Sequence, residues 1–238
     1  MDLFSRLPWR SSPAGGSTAW RIVRLCVPLA LFHSALASRQ AKDLVAKVAG
    51  RRRRNGLYRM AYNAQSLVTF AWLYQWLRGL PDRRLYDLEP PASWVARGGQ
   101  AAAIVMGFDT SRRIGIPAFN GITQLEAFRA GQDPEPEPEA QGPRLGEDGE
   151  MLAAGPFALV RHPANLAAAV VLLLDPHMTE RKLTVGLLAT AYGYLGSLHE
   201  ERRLLHLYGA AYERYQRRVP FLVPAGSLAP MPRPPAAA

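Results

Sequence analysis

The stretch ALVRHPANLAAAVVLLL (158–174) sets an arginine, a histidine and a proline directly before an unbroken apolar run, where an unpaired charge is costly. A second stretch, GSLHEERRLL (196–205), closes another apolar run with two adjacent carboxylates. Between them lies DPHMTERK (175–182), a polar turn containing proline, so the two runs read as a helical hairpin that dips into or crosses a bilayer. An antiparallel hairpin brings its open ends together, which places Arg161 and His162 beside Glu200 and Glu201.

The rest of the chain extends this pattern. The 238 residues have a mean hydropathy of −0.10, an average that hides apolar blocks separated by polar loops. The blocks are 21–37, 58–80, 92–110, 164–174 and 183–198. A crossing of the hydrocarbon core takes about 20 residues. By that measure the second block qualifies, the first and fifth are borderline, the third carries Arg97 and Asp109, and the fourth spans only about 16 Å of helix. With an outside N-terminus and five crossings, 19 Lys and Arg fall on the inner side against 9 on the outer, the orientation that the positive-inside rule favours. The expected fold class is all-α: an integral membrane bundle of about five helices, with four or five full crossings, that ends in the hairpin and a cytoplasmic C-terminal segment. The expected divisions are a flexible tail over 1–19, three transmembrane helices over 20–129, an acidic Pro-rich spacer over 130–150, the hairpin and C-terminal segment over 151–224, and a second tail over 225–238.

The formal charge of +10 suits nucleic acid, an anionic membrane or an anionic ligand. The densest basic run, GRRRRNG (50–56), has no nucleic-acid module or aromatic platform around it and reads as a topology anchor facing anionic headgroups. Nucleic acid is therefore not an expected partner, and no obligate protein partner is inferred. The single cysteine, Cys26, excludes an intramolecular disulfide. The segment 130–150 is acidic, Pro-rich and poor in large apolar residues, the composition of a solvated spacer. Arg21 and Arg24 break the approach to the first block, and no cleavable signal peptide is evident.

Pro163 fits a first helical turn, where its missing N–H costs nothing. The amides of that turn add to Arg161 and His162 a site for a carboxylate. Glu200 and Glu201 offer the opposite end, suited to an ammonium, so the pair of ends suits a zwitterion. Taken singly, each motif has a plainer reading: Arg161 and His162 as interfacial anchors, and Glu200 and Glu201 as helix-surface partners of Arg202 and Arg203. His199 and His206 lack zinc-protease spacing, since Arg203 stands at i+4 from His199. No metal site, phosphate loop or nucleophilic serine motif is expected.

The ordered set Gly155, Pro156, Phe157, Arg161, His162, Pro163, Glu200, Glu201, Tyr208, Gly209, Tyr212, Tyr215, Val219, Pro220 and Pro224 closely resembles the isoprenylcysteine carboxyl methyltransferase and phospholipid methyltransferase superfamily of integral-membrane enzymes. The resemblance is strong over 155–224; upstream, only the layout of apolar blocks agrees. Many members carry Tyr two positions after the motif proline, where this chain has Asn165, whose amide can hydrogen-bond. The turn DPHMT (175–179) looks like that of bacterial members assigned to small-thiol methylation.

The resemblance implies S-adenosylmethionine as cofactor, bound at Arg161, His162, Pro163, Asn165, Glu200, Glu201, Tyr212 and Tyr215. Arg161 and His162 would hold its carboxylate and Glu200 or Glu201 its amino group, while both tyrosines and VPFLVP (219–224) pack its adenosine. The plainer reading of the tyrosines is helix packing and an interfacial belt. Methyl transfer needs alignment and a water-poor site; no side chain is assigned a catalytic role. The expected acceptor is a lipid-like or small apolar thiol, carboxylate or amine, with a lipid or a small thiol favoured, that enters from the bilayer. The expected location is a bacterial inner membrane with the cofactor site cytoplasmic. A non-catalytic binding or scaffold protein of the same fold is the alternative.

Overall fold

The computed structural model describes residues 17–138 and 141–224; most of the two expected tails, 1–16 and 225–238, lies outside them. The chain forms α1 (Thr18–Ala37), α2 (Arg39–Ala49), α3 (Arg51–Arg78), β1 (Arg84–Asp87), α4 (Ala92–Ile114), α5 (Ile116–Asn120) and α6 (Ile122–Arg129). After the acidic segment come α7 (Pro156–Leu159), α8 (Pro163–Leu173), β2 (His177–Thr179), α9 (Glu180–Tyr208) and α10 (Ala210–Arg218). Each apolar block of the sequence lies in a helix, apart from the last two residues of 58–80 and the last of 164–174. The described residues are predominantly helical, in keeping with the all-α expectation.

Local chemistry sets the helix ends. Ser17 Oγ accepts from Trp20 N at 3.2 Å to start α1, and Ser38 ends α1 while its hydroxyl accepts from Ala41 N at 3.2 Å to start α2. Thr179 caps α9 in the same way through Lys182 N. The helix α1 therefore takes in the last two residues of the expected 1–19 tail. Between α8 and α9 the polar turn does more than reverse the chain, because β2 pairs antiparallel with β1 through Tyr86–Met178 and Asp87–His177.

Among the described residues, α1 is the helix long and apolar enough to cross a membrane, and α8 is apolar but short. The second block was the expected best span, yet α3 fails that test because Asn63, Gln65 and Gln75 interrupt its apolar run. Large apolar side chains nonetheless point outward along several helices. Leu31 of α1, Leu67 and Val68 of α3, Trp94, Val95 and Val105 of α4 and Leu195 of α9 are all more than 60% exposed.

In the bundle α4 packs on α8, α8 on α9, α9 on α1, and α3 on α2 and α6. Thr18 donates to Pro81 O at 3.0 Å, Ala19 N to Glu180 Oε1 at 3.3 Å and Arg181 Nη1 to Leu77 O at 2.7 Å. These bonds gather the start of α1, the end of α3 and the start of α9 at one end. The buried apolar core lies at the other end, where Met151, Leu204, Ala211, Tyr212, Tyr215 and Val219 cluster.

The acidic segment departs from the solvated spacer that its composition predicts. Glu137 is only 4% exposed, and its carboxylate meets Lys42 Nζ at 2.7 Å and Arg54 Nη2 at 3.2 Å. Arg52 donates to Phe128 O at 2.8 Å and lies over the Phe128 ring, and Asn55 donates to Pro134 O at 2.9 Å. Part of the basic run expected to face headgroups thus holds this segment down: burying a carboxylate is tolerable only when cations neutralise it.

Candidate functional site

The two ends of the hairpin meet as expected. Gly155 at φ 58° and Gly209 at φ 48° make the turns that start α7 and separate α9 from α10, conformations that a residue with a Cβ strains to adopt. A Cβ on Gly155 would also stand 2.7 Å from the Arg113 guanidinium. Two backbone bonds anchor the R-H-P motif: Arg161 N donates to Pro220 O at 2.9 Å and His162 N to Phe221 O at 3.3 Å. That pairing ties the motif to the closing segment, and Pro163 then opens α8, whose first turn no side chain caps.

Glu201 is the hub. Its Oε1 accepts from Arg161 Nε at 2.9 Å, Tyr212 Oη at 2.7 Å and His162 Nε2 at 2.8 Å. Its Oε2 accepts from Arg161 Nη2 at 3.1 Å and from Gln216 Nε2. Arg161 also donates through Nη1 to Gln216 O at 3.1 Å and Val219 O at 2.7 Å, so four of its five N–H groups are committed. Burial alone would raise the Glu201 pKa, but the bonds from His162, Arg161, Tyr212 and Gln216 outweigh it and hold the carboxyl at about 2.

His162 lies between the two carboxylates, its Nδ1 3.6 Å from Glu200 Oε2. Burial disfavours the imidazolium, yet the bonds to Glu200 and Glu201 prevail and raise its pKa. The Glu200 side chain is 21% exposed, and its Oε1 accepts from Gln141 N at 2.5 Å. Phe221 closes one side, 5.0 Å from the His162 ring and 5.4 Å from the Arg161 guanidinium.

The other expected residues are near but differently employed. Tyr212 and Tyr215 are completely buried; Tyr215 Oη donates to Phe157 O at 2.7 Å, so both hydroxyls are spent on the protein. Burial raises both phenol pKa values, which keeps them as donors. Asn165 donates to Gly193 O at 3.2 Å and Ser197 Oγ at 2.6 Å, joining α8 to α9. Gln216 went unnoticed in the sequence, although it lies one helical turn after Tyr212 and so on the same face. Gln141 carries no sequence signal.

The expected separate plus and minus ends are therefore one ion pair in this structure. Glu201 and Glu200 are not equivalent: successive helical residues point about 100° apart, so one faces the core and the other the rim.

This network has a pH signature. The depressed pKa of Glu201 contributes stability that is present above its ordinary value of 4.5 and lost as pH falls toward about 2, an amount of about 3 kcal/mol. His162 has the opposite sign: its contribution is complete below 6.5 and is lost as pH rises through its elevated value. Thermal unfolding of micelle-solubilised protein should show the advantage of wild type over Glu201→Gln shrinking by about 3 kcal/mol from near neutral pH to about pH 2.

The chain is 27% identical over 212 residues, 87% of its length and 68% of the relative's, to methanethiol S-methyltransferase 1 of Bradyrhizobium diazoefficiens. It is 25% identical over 217 residues, 89% of its length and 77% of the relative's, to the methanethiol S-methyltransferase of Pseudomonas deceptionensis. Methanethiol S-methyltransferase 2 of B. diazoefficiens is 41% identical over 68 residues, 29% of this chain and 26% of that protein. No family model and no solved structure matches the chain. The relatives bear out the resemblance to the methyltransferase family and its small-thiol hint.

Proposed function

We propose that the chain is a membrane-embedded methyltransferase that moves the methyl group of S-adenosylmethionine to a small apolar thiol such as methanethiol. The observation that carries this reading is the buried network of Arg161, His162 and Glu201 with Glu200 at its rim, in a chain whose relatives are named for methanethiol methylation. The outward apolar side chains of α1, α3, α4 and α9 support burial in lipid, with the network at the cytoplasmic face of a bacterial inner membrane.

The available donors and acceptors fit a zwitterionic ligand. The remaining N–H of Arg161 and the uncapped first turn of α8 at Pro163 suit its carboxylate, and the partly exposed carboxylate of Glu200 suits its ammonium. Glu201 is the internal counter-ion that orients Arg161 and His162. Asn165 fixes the spacing of α8 and α9, and Tyr212 and Tyr215 form the packed floor. The sulfonium supplies an activated methyl group and a neutral thioether leaving group. The protein supplies alignment and exclusion of water.

Calorimetric titration of the full chain in micelles with S-adenosylmethionine tests the site. Wild type should bind saturably, and Glu200→Gln should weaken binding by about 1.5–3 kcal/mol with its thermal midpoint little changed. Folded wild-type protein without saturable binding would contradict the assignment.

A further inference from the structure

Between α1, α3 and α9 lies a polar cluster that the cofactor site does not use. His33 of α1 meets Tyr62 and Ser66 of α3, with its Nε2 2.5 Å from Tyr62 Oη and its Nδ1 3.3 Å from Ser66 Oγ. Tyr192 of α9 completes it, its ring 6.3 Å from that of His33 and its hydroxyl 2.9 Å from Ser34 Oγ. Three helices thus contribute a half-buried histidine, a half-buried phenol and a second phenol that is 40% exposed to a bundle whose outer surface is apolar. An ionisable group in such a place is expensive and marks function more often than packing.

The hydrogen bonds point to one proton arrangement. Ser66 donates its hydroxyl proton to Tyr62 O at 2.7 Å, so toward His33 it can only accept. We assign the imidazole proton to Nδ1, which leaves Nε2 as the acceptor of the Tyr62 hydroxyl. Tyr62 is a phenol whose proton is already aimed at a neutral base. The Arg59 guanidinium stands 5.8 Å from the centre of the Tyr62 ring, a positive charge near the phenol on which negative charge would develop. Phe32, Phe70 and Leu195 are exposed around the cluster, an apolar approach from the lipid side.

We propose that Tyr62 and His33 are the proton-accepting site for the thiol substrate, an inference that rests on the thiol reading above. The thiolate is the nucleophile, and an alkanethiol with a pKa of about 8.5 or higher is mostly protonated at neutral pH. In the proposed step the thiol proton passes to Tyr62 Oη while the Tyr62 proton passes to His33 Nε2. The sulfur lone pair forms the new C–S bond, and the sulfonium C–S bond breaks with its electron pair retained by the departing thioether sulfur. The imidazolium then releases its proton to water, which restores the resting state. Tyr192 precedes Glu200 by eight residues, roughly 12 Å along α9, so the proton acceptor lies on the bilayer side of the ion-pair network, where an apolar thiol arrives.

The test uses the full chain in micelles and two acceptors, methanethiol and thiophenol, an aromatic thiol already ionised at neutral pH. With His33→Asn and Tyr62→Phe, kcat on methanethiol should fall about 100-fold or more, whereas thiophenol turnover should fall less than about tenfold. Equal losses on both thiols would overturn the proposal and leave the cluster as interhelical packing. If His33→Asn does not fold, Tyr62→Phe, which keeps the ring, decides the matter. Nitrogen NMR of cofactor-free, histidine-labelled protein gives an independent readout: a neutral His33 protonated on Nδ1 is expected, and the Nε2-protonated form would overturn the relay. A wild-type protein inactive on both thiols would overturn the thiol reading itself, a failure visible without any variant.

Discussion

Replacing Glu201 by alanine should destabilise the protein by about 3–5 kcal/mol, the cost of breaking a buried ion pair by removing one partner. The carboxylate accepts from Arg161, His162, Tyr212 and Gln216, and its loss leaves two guanidinium N–H groups, an imidazole, a phenol and an amide without that acceptor beside the buried core. For a chain of this size, the thermal midpoint in micelles should drop by roughly 6–20 °C. A drop of less than about 2 °C would show that the network is solvated and that its groups find water instead.

Arg161→Lys should be nearly as damaging, by about 2–4 kcal/mol, although it keeps the charge. A single ammonium cannot reproduce a planar fork that binds Glu201 through two nitrogens while reaching Gln216 O and Val219 O. Each buried carbonyl left without a donor costs about 1–3 kcal/mol. Both carbonyls belong to the end of α10 and the closing segment, so the substitution should also loosen 219–224 and weaken S-adenosylmethionine binding more than Glu200→Gln does. Calorimetry beside thermal unfolding separates these two effects. A lysine variant with wild-type stability would mean that the charge alone, not the fork, holds the segment.

The hairpin and the meeting of its ends were legible in the sequence because proline, glycine and an apolar run each restrict the chain locally: Pro163 opens α8, and Gly209 ends α9. The different fates of Glu200 and Glu201 were open to a helical-wheel argument, but only once it was known which side of α9 faces the core. Burial of Glu137 was not legible. A Pro- and Glu-rich segment looks solvated until Lys42 and Arg54, distant in sequence, are brought against it. The His33–Tyr62 pair escaped for the same reason: its members are 29 residues apart, and each sits singly in an apolar block. Tertiary contacts between isolated polar residues leave no periodic trace.

The most direct test of the central claim is turnover. Full-length protein in micelles, supplied with methyl-labelled S-adenosylmethionine and methanethiol, should release labelled dimethyl sulfide into the headspace, in an amount that requires both substrates. Folded protein that binds the cofactor yet releases no labelled sulfide would contradict the account and favour a binding or scaffold role for the same fold.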